Sequence, residues 1–199
     1  MGSLGEITFA SRVREKSFRN PETIVTTDDR GEVLSALDRV QEFVDDGMWA
    51  AGFIAYEAAP AFDEALECHA PSDVPLVWFG IYNAPSTLAP KSAAYTVSEW
   101  EPELTRDDYR ARVKQILEYI AAGDTYQVNY TFPLHAMFEG DAYAWFRDLR
   151  GAQQADYCAY LDTGRFKIVC VSPEQFFTLK DGVLRTRPMK GTRVRGRWL

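Results

Sequence analysis

The dipeptide Asp181-Gly182 is the strongest local constraint in this chain. It sits between Phe176, Phe177 and Leu179 on one side and Val183 and Leu184 on the other. Asp-Gly favours the positive φ of a two-residue turn, and apolar runs on both sides predict a β-hairpin. A hairpin returns its ends to one place, so Glu174 before the first strand and Lys190 after the second can approach each other. Pro188 stiffens the approach to Lys190 and Gly191 frees the backbone after it, which puts the lysine on a bent, non-helical segment. Such a pair is either two solvated surface charges, the common state of both residue types, or an acid and an amine meeting at a site.

The 199 residues, 46% hydrophobic and 14% aromatic, are enough for a packed core in one domain or part of a larger one. A net charge of -7 argues against a nucleic acid partner, which needs a basic face. The arginines clustered near the C-terminus, among them Arg185, Arg187, Arg193 and Arg195, suit a small dicarboxylate, and no RNA-binding signature accompanies them. Cys68, Cys158 and Cys170 are odd in number and lack C-x-x-C spacing, so free, mostly buried thiols are expected. No signal peptide pattern and no spanning apolar run is present, so a cytoplasmic protein without a membrane partner is the default.

Along the chain, Asp29 to Asp46 carries Val33, Leu37, Val40 and Val44 at helical spacing and closes at Gly47. Trp49 to Tyr56 and Leu76 to Tyr82 are apolar runs of strand length, and Ala94 to Trp100 is a further strand. The clearest helix starts at the cap Thr105 and ends at Gly123, with Tyr109, Val113, Ile116, Leu117 and Ile120 forming a core-facing stripe. The D-T-Y-Q-V-N-Y-T-F-P-L run after it alternates as a strand, putting Gln127 and Asn129 on one face; they either satisfy one another or lie near a substrate. Asp141 to Arg150 reads as a short helix, and Tyr157 to Leu161 and Phe166 to Val171 as strands joined by D-T-G-R. The whole is a single α+β unit. No glycine-rich nucleotide loop occurs.

The S-P-E run at Ser172 to Glu174 and R-P-M-K-G-T at Arg187 to Thr192 resemble the motifs of chorismate-utilising enzymes. The G-D-T-Y-Q-V-N run from Gly123 and A-G-F-I-A-Y-E-A-A-P-A-F-D from Ala51 resemble the same family in the same order. A lysine at 190 resembles the aminodeoxychorismate synthase component I type; the anthranilate synthase type has alanine there, and isochorismate and salicylate synthases have a lysine where this chain has Gln127. The resemblance implies an anthranilate synthase component I-like sheet sandwich with flanking helices. It further implies Lys190 as nucleophile, Glu174 as acid, and Gln127, Asn129, Arg187, Gly191 and Thr192 around chorismate. Mg2+ as cofactor and a glutamine amidotransferase subunit supplying ammonia complete the implied reaction, which yields 4-amino-4-deoxychorismate for p-aminobenzoate and folate synthesis.

Family domains of this type continue well past the R-P-x-K-G-T motif, and their Mg2+ carboxylates lie in that later half. Residues 1–199 are therefore expected to be the N-terminal portion of one chorismate-binding catalytic domain, without its C-terminal half and inactive alone. Two other readings stay open: a catalytically silent binding or scaffolding module that pairs with a glutaminase or a second half, and an anthranilate synthase-like enzyme.

Overall fold

The computed structural model describes residues 4–69, 73–86 and 93–188. In chain order, β1 (Glu6–Ala10), β2 (Glu15–Phe18) and β3 (Thr23–Thr27) precede α1 (Val33–Asp45), β4 (Trp49–Ile54) and β5 (Val77–Tyr82). Then come β6 (Tyr95–Val97), β7 (Glu101–Pro102), α2 (Arg106–Ala122), β8 (Leu134–His135) and β9 (Phe138–Gly140). Finally α3 (Ala142–Gln153) leads to β10 (Tyr157–Asp162), β11 (Lys167–Ser172), β12 (Gln175–Lys180) and β13 (Val183–Arg187). Residues 93–141 form one compact unit, and the segments before and after it form the other.

The larger unit has an antiparallel sheet in the order β11-β10-β1-β2 and another in the order β3-β5-β4. The pairing of β1 with β10 sets Ile7 opposite Leu161 and Phe9 opposite Ala159, and so joins distant parts of the sequence. The β5 strand is central, with Val25 of β3 facing Phe79 and Ala51 of β4 facing Gly80. Because side chains alternate along a strand, its two faces bury different sets. Val77 and Ile81 pack with Val25 and with Val33, Ala36 and Val40 of α1. Trp78 and Tyr82 pack with Ile7, Phe18, Ala51 and Leu161. A strand covered on both faces reads as a continuous apolar run, which is why V-W-F-G-I-Y stood out in the sequence. The Tyr82 hydroxyl donates to the Gly5 carbonyl at 2.7 Å, and burial pushes its phenol pKa up.

The smaller unit is built on α2. Thr105 Oγ1 accepts from the Asp108 N–H at 3.2 Å, and Gly123 closes the helix at φ 86°. The Asp124 N–H reaches the Tyr119 carbonyl at 3.0 Å, so orphan carbonyls at this end are satisfied as in a Schellman closure. Tyr109, Tyr130 and Phe132 form an aromatic cluster with centroids 5.7 to 6.1 Å apart.

The structure has the α+β character the pattern predicts, as several small antiparallel sheets with helices. Several expectations are corrected. The Asp124 to Pro133 run is not a strand; only Leu134–His135 pairs, with β7, because the preceding backbone has no ladder partner among the described residues. The apolar stripe of α2 is not core: none of its residues is buried, and Tyr109, Leu117 and Ile120 are exposed. The strand expected over 94–100 is limited to Tyr95–Val97. The thiols are not mostly buried either. Cys158 is buried, Cys68 is half-buried, and Cys170, on β11, is exposed. Among the described residues no helix is long and apolar enough to cross a membrane.

Two substitutions on β5 separate its roles. Ile81→Ala should cost about 2 to 5 kcal/mol through the cavity it leaves. Tyr82→Phe should cost about 1 to 3 kcal/mol, because it strips the Gly5 carbonyl of its donor. Denaturant unfolding checks both, and a loss well below either range would contradict the role given to that side chain.

Candidate active site

The Asp181-Gly182 turn forms as its chemistry dictates: Asp181 has φ 51° and Gly182 φ 74°, both positive. In β12 and β13, Lys180 faces Val183 and Thr178 faces Arg185. The register then shifts, so that Gln175 rather than Phe176 faces Arg187. That extra residue is a β-bulge, which bends the strand beside Glu174. At the open end Glu174 and Pro188 line one depression with Gln175, Phe176 and Thr186. The hairpin thus delivers the carboxylate and the start of the R-P-M-K segment to the same place. Lys190, Gly191 and Thr192 lie outside the described residues.

Glu174 is held by its own motif. Pro173 cannot donate, and the Ser172 hydroxyl accepts from the Glu174 N–H at 3.2 Å while donating to the Glu174 carbonyl at 3.1 Å. Next to it, Gln175 ties the hairpin to the four-stranded sheet: the Tyr157 hydroxyl donates to Gln175 Oε1 at 3.2 Å. Glu174 is exposed and borders a cleft of about 900 Å³. The cleft is lined on its other sides by Phe9, Arg14, Lys16, Cys158 and Phe177, among others. Arg187 is exposed at the end of β13.

One wall of this cleft, the turn between β1 and β2, is pinned by charges that no sequence pattern marked. Arg12 donates from Nε and Nη2 to the Asp156 carboxylate at 2.9 and 2.6 Å. This hydrogen bonding holds the Asp156 carboxyl below its usual range and the Arg12 pKa above its own. Glu15 takes hydrogen bonds from Arg150 at 2.6 Å and from the Tyr143 hydroxyl at 3.1 Å. Burial, then the negative charge of Glu15, pushes the Tyr143 phenol up to about 12. The partners are well over a hundred positions apart in sequence, and neither Arg12 nor Glu15 lies in a motif.

Gln127 and Asn129 belong to the smaller unit and are exposed. Gln127 Nε2 donates to Asn129 Oδ1 at 3.3 Å, and the Thr125 hydroxyl brackets the Gln127 backbone. Among the described residues no three His, Cys, Asp or Glu side chains converge on a metal position. Glu174 and its surroundings therefore do not form the octahedral oxygen shell that Mg2+ requires.

The sequence profile described as chorismate binding enzyme matches residues 84–199. The aminodeoxychorismate synthase component 1 of Klebsiella aerogenes is 36% identical over 105 residues, 52% of this chain and 23% of that protein. The protein of the same name from Bacillus subtilis is 32% identical over 126 residues, 63% of this chain and 26% of its own length. The anthranilate synthase component 1 of Aquifex aeolicus is 37% identical over 98 residues, 49% and 20% of the two chains. The chain thus spans about a quarter of the aminodeoxychorismate synthase relatives it matches.

The turn can be tested apart from any chemistry. A Cβ at Gly182 would meet nothing within 4 Å, so a substitution there acts only through the backbone. Gly182→Val should cost about 1 to 2 kcal/mol of hairpin stability and weaken the cross-strand Thr178–Arg185 contact in NMR spectra. Gly182→Asn, which tolerates positive φ, should retain that contact.

Proposed function

The chain belongs to the chorismate binding enzyme family, and from that premise we propose that it supplies the S-P-E and R-P-M-K-G-T side chains of a component I aminodeoxychorismate synthase. The reaction converts chorismate and ammonia to 4-amino-4-deoxychorismate and water, on the route to p-aminobenzoate and folate. The observation that carries the proposal is the hairpin, which brings Glu174 to the open end from which the chain runs on to Lys190. The curated relatives named for this activity support it.

In the proposed sequence the neutral Lys190 amine forms a bond to C2 of the diene. Both ring double bonds shift, the C4–O bond breaks, and the hydroxyl leaves as water with the proton of Glu174. Ammonia then bonds at C4, both double bonds shift back, and the C2–N bond breaks to release Lys190. The surplus proton of the new ammonium goes to the Glu174 carboxylate, which resets the acid. Lysine is nucleophilic only when deprotonated, so this role needs its pKa lowered, and arginines such as Arg185 and Arg187 supply repulsion of the required sign.

Arg187, Gly191, Thr192, Gln127 and Asn129 are assigned to substrate binding. Mg2+, when bound, would neutralise substrate carboxylate charge, and its ligand set is not found among the described residues. A glutamine amidotransferase is the proposed ammonia source, and the cytoplasm the proposed compartment. The proposed fold is the anthranilate synthase component I type of sheet sandwich.

Product analysis of the enzyme containing this sequence, given chorismate, ammonia and Mg2+, tests the assignment. It should yield 4-amino-4-deoxychorismate; anthranilate as the main product would overturn it. Glu174→Gln should lower kcat by about 100-fold to 10,000-fold with a smaller effect on chorismate binding, as loss of a general acid requires. A loss of only a few fold would make Glu174 a structural carboxylate.

A further inference from the structure

The larger unit carries a second concavity, at the C-terminal end of α3. It measures about 420 Å³ and is lined by Arg12, Arg147, Arg150, Gly151 and Gln154. Its lining holds three arginines and no acidic residue. None of those three arginines lines the cleft of Glu174, so this depression is separate from the one assigned to chorismate chemistry.

Three like charges around one small space repel, and the protein holds two of them there with carboxylates outside the lining. Asp156 fixes Arg12 in a bidentate fork. Glu15 and the Ser11 carbonyl fix Arg150 at 2.6 and 2.5 Å. These contacts use two N–H groups of each guanidinium, which has five, so each keeps donors to offer. Arg147 makes no salt bridge to any described carboxylate. Counting the three arginines against Asp156 and Glu15 leaves one positive charge at the concavity. The negative end of the α3 dipole, about half a charge, does not cancel it.

The backbone at the rim is specialised too. Gln154 has φ 50°, a left-handed conformation that is strained for a non-glycine residue. Its N–H donates to the Arg150 carbonyl at 3.0 Å, which closes the helix. Gln154 itself lines the depression.

We propose that this concavity binds a small, doubly charged oxyanion. Phosphate is the best match to three guanidinium forks, and a short dicarboxylate shares the same recognition chemistry. Arg147 supplies the unneutralised charge; Arg12 and Arg150 supply fixed donors.

The test is isothermal titration of the full chain with inorganic phosphate and, separately, with succinate. Ionic strength is held constant with chloride, and amide chemical shifts are followed in parallel. Saturable binding of at least one oxyanion is expected, with shifts concentrated at Gly151 and Gln154. Tighter phosphate marks a phosphoryl ligand and tighter succinate a dicarboxylate, both within the proposal. Arg147 is exposed, so Arg147→Ala should leave the fold intact while weakening the preferred oxyanion by about 10-fold or more, and Arg147→Lys should fall between. No binding beyond the chloride reference, or equal affinity in wild type and Arg147→Ala, would overturn the proposal.

Discussion

The antiparallel pairing of β1 with β10 is the contact on which the larger unit depends. It joins Glu6–Ala10 to Cys158–Asp162, and β1 in turn carries β2. Closing so long a loop costs entropy that grows only logarithmically with length, and apolar burial on the sheet can offset it. Polar contacts tie β2 to β1: Thr8 and Ser17 share a buried hydroxyl pair at 2.9 Å, and Arg19 meets Glu6 at 2.5 Å. With β10 placed, β11 follows through a tight turn at Gly164, and Ser172 at its end positions Glu174. The carboxylate is therefore located by a strand pair formed at the other end of the chain.

Local rules were legible in the sequence where the residues enforce them. Thr105 and Gly123 bound α2, Gly47 follows α1, and Asp181-Gly182 makes its hairpin, because each needs only its neighbours in the chain. The strand β5 was legible as an apolar run of strand length, while its burial on both faces is a finding of the structure. By contrast β1, β2 and β3 have short, mixed patterns, E-I-T-F-A, E-K-S-F and T-I-V-T-T, whose strand character comes from long-range partners. The Q-V-N run shows the reverse: its alternation looks like a strand, but without a ladder partner the backbone stays irregular.

Of the site, the motif-borne part was legible and the supporting part was not. The hairpin with Glu174 at its end was marked by its own residues, and the S-P-E run by its resemblance to the family motif. The Arg12–Asp156 and Glu15–Arg150–Tyr143 contacts brace the facing wall through tertiary proximity alone. The hairpin itself is thinly covered, with Phe176 88% and Leu179 67% exposed. Its stability rests on the turn and on the Tyr157–Gln175 link more than on burial.

We propose that Glu174, held at the open end of the hairpin, serves as general acid and Lys190, on the R-P-M-K segment that follows, as covalent nucleophile. Peptide mapping by mass spectrometry, on enzyme containing this sequence trapped during turnover of chorismate, tests it most directly. The account predicts a chorismate-derived adduct on Lys190 that disappears in Lys190→Ala. An adduct mapped to another lysine, or full turnover by Lys190→Ala, would contradict it.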